Sequence, residues 1–101
     1  MSQELLTTDN TYYVELHEAL VRLEKNEDFK KVILQGYLED KALSSVSLLG
    51  RPEIRRNNDR GSVIEELVAI SNLNYYLMMV HNMGTSALVD IEEAEAKERG
   101  E

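Results

Sequence analysis

A single proline, Pro52, interrupts the whole 101-residue sequence. Proline is the residue a helix interior tolerates least, at about 3 kcal/mol, so on either side of position 52 the chain is free to form helices of many turns. Leu, Glu and Ala, which are strong helix formers, are abundant. Apolar residues recur at steps of three and four over long stretches, the period of one helix face. An all-α fold is expected.

Start and stop signals divide the pattern into four helices. Asn10 or Thr11 offers a cap for a helix from Tyr12 to Lys25, with Tyr13, Leu16, Leu20 and Leu23 as its apolar seam. In Asn26-Glu27-Asp28 a capping side chain precedes two carboxylates suited to the positive end of a helix, and it opens a helix from Glu27 to Leu49 that Gly50 and Pro52 terminate. The apolar face of that helix reads Phe29, Val32, Ile33, Gly36, Tyr37, Leu43, Val46 and Leu49. Gly36 costs about 1 kcal/mol against alanine inside a helix, so it marks a kink or the close approach of another backbone, and close packing is the expectation.

Arg51 to Gly61 reads as a loop, with room for a helical turn after Pro52. Ser62-Val63-Ile64-Glu65 has the form of a capping box and starts a third helix, Val63 to Asn82, that faces inward through Ile64, Leu67, Ile70, Leu73, Leu77 and Val80. Gly84 is its expected stop. Thr85 or Ser86 then caps a short last helix with a stripe of Leu88, Ile91 and Ala94. The expected assembly is an antiparallel helical hairpin of two long helices, with an additional N-terminal helix laid along it and a short acidic C-terminal helix. Residues 1–10 are expected as a flexible arm, 11–84 as the helical domain and 85–101 as an acidic helix or tail.

Charge and composition narrow the functional classes. Eleven basic against nineteen acidic residues give a formal net charge of −8, which opposes bulk binding to nucleic-acid phosphates and anionic lipid. Neither nucleic acid nor membrane is an expected partner. Without cysteine there is no disulfide framework and no thiolate chemistry. The first residues have neither the basic start nor the apolar run of a signal peptide, and no apolar run approaches the roughly 18 residues of a membrane span. A protein compatible with the cytosol is expected.

No catalytic, cofactor-binding or metal-binding constellation emerges. His17 and His81 lack a carboxylate three residues away on either side, the spacing of helical di-metal sites. The adjacent acids Glu27-Asp28, Glu39-Asp40, Glu65-Glu66 and Glu92-Glu93 diverge by about 100 degrees around a helix and do not converge on a substrate. A phosphate-binding glycine loop is absent. A non-enzymatic protein without cofactors is expected, and the chemistry that remains is that of contact. Tyr75, Tyr76, Met79 and Met83 are more apolar surface than one helix face can bury, and tyrosine and methionine are enriched at interfaces. Arg51, Arg55, Arg56 and Arg60 form a cationic cluster able to grip phosphates or an acidic protein surface, and the protein surface is the more economical reading given the net charge. Leu88 and Ile91 form the stripe of a last helix too short to stand alone. These ten residues are the candidate partner interface, and a homo-oligomer is expected.

The stretch Asn26-Glu27-Asp28-Phe29-Lys30-Lys31-Val32-Ile33-Leu34-Gln35-Gly36-Tyr37, then Val46-Ser47-Leu48-Leu49 and Ile64-Glu65-Glu66-Leu67-Val68-Ala69-Ile70, resembles short helical proteins of tailed bacteriophages over about residues 12–84. The resemblance implies a phage-encoded, non-enzymatic protein: a minor capsid, portal or tail-associated component that binds other virion proteins. Such a protein resides in the host cytoplasm during assembly and is then incorporated in the virion. It supplies no functional residue by correspondence. A small acidic regulatory protein that inhibits a host or phage nucleic-acid enzyme through its Glu-rich C-terminal segment is the alternative expectation.

Overall fold

A computed structural model describes residues 3–100 of the chain, and all of its regular structure is helical. The protein is all-α. In order come α1 (Gln3–Glu24), α2 (Glu27–Phe29), a π-helical stretch (Lys30–Asp40), α3 (Lys41–Leu49), α4 (Pro52–Arg56) and α5 (Arg60–Glu98). No helix among the described residues is long and apolar enough to cross a membrane. The chain divides into two compact units, one made of Met1–Leu23 with Leu77–Glu101 and the other of Glu24–Tyr76. α5 contributes to both.

In the Glu24–Tyr76 unit the expected start at Asn26 is present: its side-chain oxygen accepts from the Phe29 amide at 3.0 Å. The winding that follows differs from expectation. From Lys30 the backbone adopts i→i+5 hydrogen bonding, and the Lys41 amide closes the stretch on the Gly36 carbonyl. A Cβ at Gly36 would stand 3.0 Å from the Lys31 carbonyl oxygen, five residues back in the same helix. Gly36 therefore relieves crowding inside its own π winding, and the close approach of a second backbone expected there is replaced by this internal one.

The π stretch changes which residues face inward. With one more residue in each hydrogen-bonded turn, side chains stack at longer steps. Phe29, Leu34, Leu38 and Ala42, five, four and four apart, are all at least half-buried, and the shorter α spacing resumes at Ser45. Val32, Leu43 and Val46, placed inward by α periodicity, are turned out, with 63%, 67% and 54% of their surface exposed. Ser45, only 2% exposed, takes a seam position in their stead.

This helical run packs against the first part of α5. Leu34, Leu38 and Ala42 line one groove with Leu67, Ile70, Ser71 and Asn74, and the Ser45 hydroxyl reaches Glu66 at 3.5 Å. Lys41 pairs with the same carboxylate at 3.8 Å. Both partners are about half exposed, so the pair contributes little. Val63 and Ile70 are the buried apolar centre, each worth roughly 1.5–3 kcal/mol on transfer from water.

Between these helices, the expected loop is largely ordered helix. Arg51 precedes α4, and Pro52 occupies its first turn, where the missing amide hydrogen is no loss. α4 closes as a Schellman motif: Asn58 is left-handed at φ 58°, its amide donates to Arg55 at 3.3 Å, and the Asp59 amide donates to Ile54 at 3.0 Å. The Asp59 carbonyl then accepts from the Val63 amide at 3.2 Å. That starts α5 three residues ahead of the Val63 expected from the Ser62 capping box. Ser62 therefore lies inside the first turn rather than ahead of it.

In the other unit α1 packs against the later part of α5. Asn10 is grouped with Asp90, Ile91 and Ala94, Tyr13 with Met83, Ser86 and Ala87, and His17 with His81 and Gly84. Leu20, Val80 and Ala87 are buried here. Residues 3–10, expected as an arm, belong to α1, and residues 1 and 2 lie outside the described residues. Leu23 is exposed rather than part of the seam.

Gly84 is not a stop. It is buried within α5, without the positive φ of a helix-ending glycine, and a Cβ there would fall 2.2 Å from the His17 Cβ. Its role is to admit the neighbouring helix. α5 accordingly runs 39 residues as one helix, with no separate last helix capped by Thr85 or Ser86; the Thr85 hydroxyl instead donates to the His81 carbonyl at 2.9 Å. Gly100, at φ 80°, supplies the left-handed residue just beyond its end.

The two glycines of α5 should respond oppositely to alanine. Gly84→Ala overpacks against the root of His17 and is expected to destabilise by about 1–3 kcal/mol. Gly61→Ala meets nothing within 4 Å and should stabilise by about 0.4–1 kcal/mol through the unfolded chain. Thermal melts followed by circular dichroism read both.

Candidate interaction surface

The ten residues expected at an interface divide between the units. Arg51, Arg55, Arg56, Arg60, Tyr75 and Tyr76 belong to the Glu24–Tyr76 unit, and Met79, Met83, Leu88 and Ile91 to the other. Met83 and Ile91 are half-buried in grooves shared with Tyr13 and Asn10 of α1, so their apolar surface is partly used inside the chain. Leu88, Met79, Tyr75 and Tyr76 are exposed.

The arginines have local structural duties that a simple loop would not give them. Arg60 donates from Nε to the Leu49 carbonyl at 3.3 Å, satisfying an oxygen at the end of α3. Arg55 and Arg56 lie in the last turn of α4, where the helix dipole favours positive charge. Arg51 is 3.9 Å from Glu53, one position either side of Pro52. All four remain exposed, so a cationic rim persists at this end of the unit.

Sequence spacing missed a groove along one flank of the same unit, about 470 Å³ in volume. Leu34, Leu38, Ala42, Leu67 and Ile70 form its apolar wall, and Glu39, Ser71 and Asn74 its polar points. Residues three or four apart on a helix are neighbours, which identifies the groove's borders. Leu43 and Val46 follow Glu39 and Ala42 by four on one side; Ile64, Val68 and Tyr75 flank Leu67 and Ser71 on the other. All five are large, apolar in body and exposed. Scattered exposed apolar residues are ordinary, but a set bordering an apolar groove makes a candidate contact surface. Leu43 and Val46 escaped prediction because α periodicity put them in the core. Tyr75 alone of the expected interface residues lies on this border.

A second constellation is the histidine pair. His17 and His81, 64 residues apart in sequence, are both half-buried, with Nε2 of the first 2.9 Å from Nδ1 of the second and their rings edge to face at 4.9 Å. An N–H···N bond of this kind needs one facing nitrogen protonated and the other bare. Packing of α1 on α5 creates the pair, with Gly84 making room for His17, and no spacing along either helix announces it. Among the described residues no group of three or more histidine, aspartate or glutamate side chains is placed to hold a metal ion. The pair ties two helices together.

No family model, curated protein or solved structure matches the chain.

A double-mutant cycle measures the histidine contact. His17→Ala, His81→Ala and the double variant should show a coupling of about 0.5–1.5 kcal/mol in denaturant unfolding. Additive losses would mean that the two rings act independently.

Proposed function

We propose that this chain is a non-enzymatic structural or assembly protein of a phage particle, acting through protein–protein contacts. The observation that carries the reading is the uncovered flank of the Glu24–Tyr76 unit, where Leu43, Val46, Ile64, Val68 and Tyr75 border an apolar groove. We read this unit as a helical hairpin, with an N-terminal helix and an acidic C-terminal segment belonging to the other unit. The cationic rim of Arg51, Arg55, Arg56 and Arg60 beside it favours proteins with acidic surfaces, such as other virion proteins. In this reading the protein meets its partners in the host cytoplasm and is carried into the particle.

The acidic end of α5 supports a second reading. Asp90, Glu92, Glu93, Glu95 and Glu98 are all exposed on one rigid helix, a form in which a small regulatory protein could fill the basic groove of a nucleic-acid enzyme.

Affinity purification from infected cells separates the two. The assembly reading expects capsid, portal or tail proteins to copurify with the wild-type chain and to be lost with Val46→Glu combined with Val68→Glu. Recovery of no virion protein, or recovery unaffected by that double variant, would overturn it. The regulatory reading expects capture of a nucleic-acid enzyme that is lost when Glu92, Glu93 and Glu95 become glutamine.

A further inference from the structure

We propose that the groove of the Glu24–Tyr76 unit is filled by the same face of a second copy, so that two hairpins form a four-helix arrangement about a two-fold axis. This rests on reading that flank as an interaction surface and names its first occupant. Three observations on the chain point to a like partner.

The first is the thinness of the unit. Its only buried apolar side chains are Val63 and Ile70, and a unit of about 50 residues commonly needs a staple beyond so small a core. Cysteine, the covalent staple, is absent from the chain. Association remains, and two helices with one uncovered apolar flank are completed most simply by two more.

The second is where the charge lies. Residues 24–76 carry eight basic and nine acidic side chains, net −1, while the rest of the chain carries three and ten, net −7. Like copies repel through the acidic unit but not through the near-neutral one. The uncovered apolar flank belongs to the unit that a second copy can approach.

The third is the make-up of the face itself. Of the residues lining the groove only Glu39 is charged, and charge depletion with an aromatic at the border is the composition of an interface core. A two-fold contact requires one patch to match itself. Here each copy offers a groove and, along its edges, the large side chains that fit one: Leu43, Val46, Ile64, Val68 and Tyr75.

The mass of the full-length chain in solution tests this, by light scattering or sedimentation at low and high salt. The expected result is a two-chain species that high salt does not dissociate, because the contact is apolar. Val46→Glu with Val68→Glu, and Val46→Lys with Val68→Lys, should each give a single-chain species of unchanged helicity, since both positions are exposed. Mixing the acidic and basic variants should restore a two-chain species containing one of each. Leu88→Glu, in the other unit, should leave the mass unchanged. As a check free of these charges, Asn57→Cys chains, altered at an exposed position outside the groove and its border and labelled separately with donor and acceptor dyes, should transfer energy when mixed. A single-chain mass for the wild type, a dimer that survives both charged variants, or one that dissolves in salt would overturn the second-copy inference. A monomer that still captures virion proteins would leave the assembly reading standing, so the two failures are distinguishable.

Discussion

The i→i+5 hydrogen bonding between Lys30 and Asp40 decides which side chains the Glu24–Tyr76 unit buries and which it shows. Had α winding continued, Leu43 and Val46 would lie on the inward stripe with Phe29 and Ile33. The wider π turn delays the phase, so Leu38 and Ala42 take the inward positions and Ser45 follows them into the seam. π winding is rare and concentrates at functional sites, and here its geometric consequence is concrete: an apolar border is moved from the core to the rim of a groove. Gly36 eases it, because a Cβ there would stand only 3.0 Å from the Lys31 carbonyl oxygen.

The other unit depends on a different glycine used in a different way. At Gly84 the missing Cβ lets α1 approach until the root of His17 occupies the space. That approach brings the two imidazoles to 2.9 Å and leaves Ala87, another small residue one turn on, buried against α1. One unit thus uses glycine for winding and the other for packing. Neither use is a helix stop; Gly100, with its left-handed φ, follows the end of α5.

These differences explain what could be read from the sequence. The all-α class, the cap at Asn26 and the end of the second helix near Gly50 and Pro52 were legible because each rests on local chemistry within one turn. What failed were the inferences at Gly84, at Ser62 and along Lys30–Asp40, which turned on helix packing, an earlier helix start and a rare winding. Gly84 has the composition of a stop but is spared that role by a helix packed on it. Ser62 to Glu65 forms a good capping signal that Asp59 pre-empts three residues earlier. The π stretch preserves an apolar pattern that fits an α-helix almost as well, which misplaced Val32, Leu43 and Val46 together. The exposure of Tyr75 was legible because an aromatic beyond the inward stripe is visible in sequence; the groove beside it was not, since half of its border depends on the phase shift. The histidine pair spans 64 residues, and only the folded chain brings it together.

Exposure of this border has an energetic meaning. Covering a large aliphatic side chain is worth roughly 1.5–3 kcal/mol, and the whole stability of a domain is roughly 0.05–0.15 kcal/mol per residue. A chain of 101 residues that keeps Leu43, Val46, Ile64, Val68 and Tyr75 in water forgoes an amount comparable to its entire margin. The loss is recovered wherever the face is covered, so association and folding of this unit draw on the same surface. Coverage of this face by a second copy or a larger partner would stabilise the π-wound form specifically, because α winding would withdraw Leu43 and Val46 from it. Winding and the proposed contact would then be coupled through the side chains that the phase shift exposes.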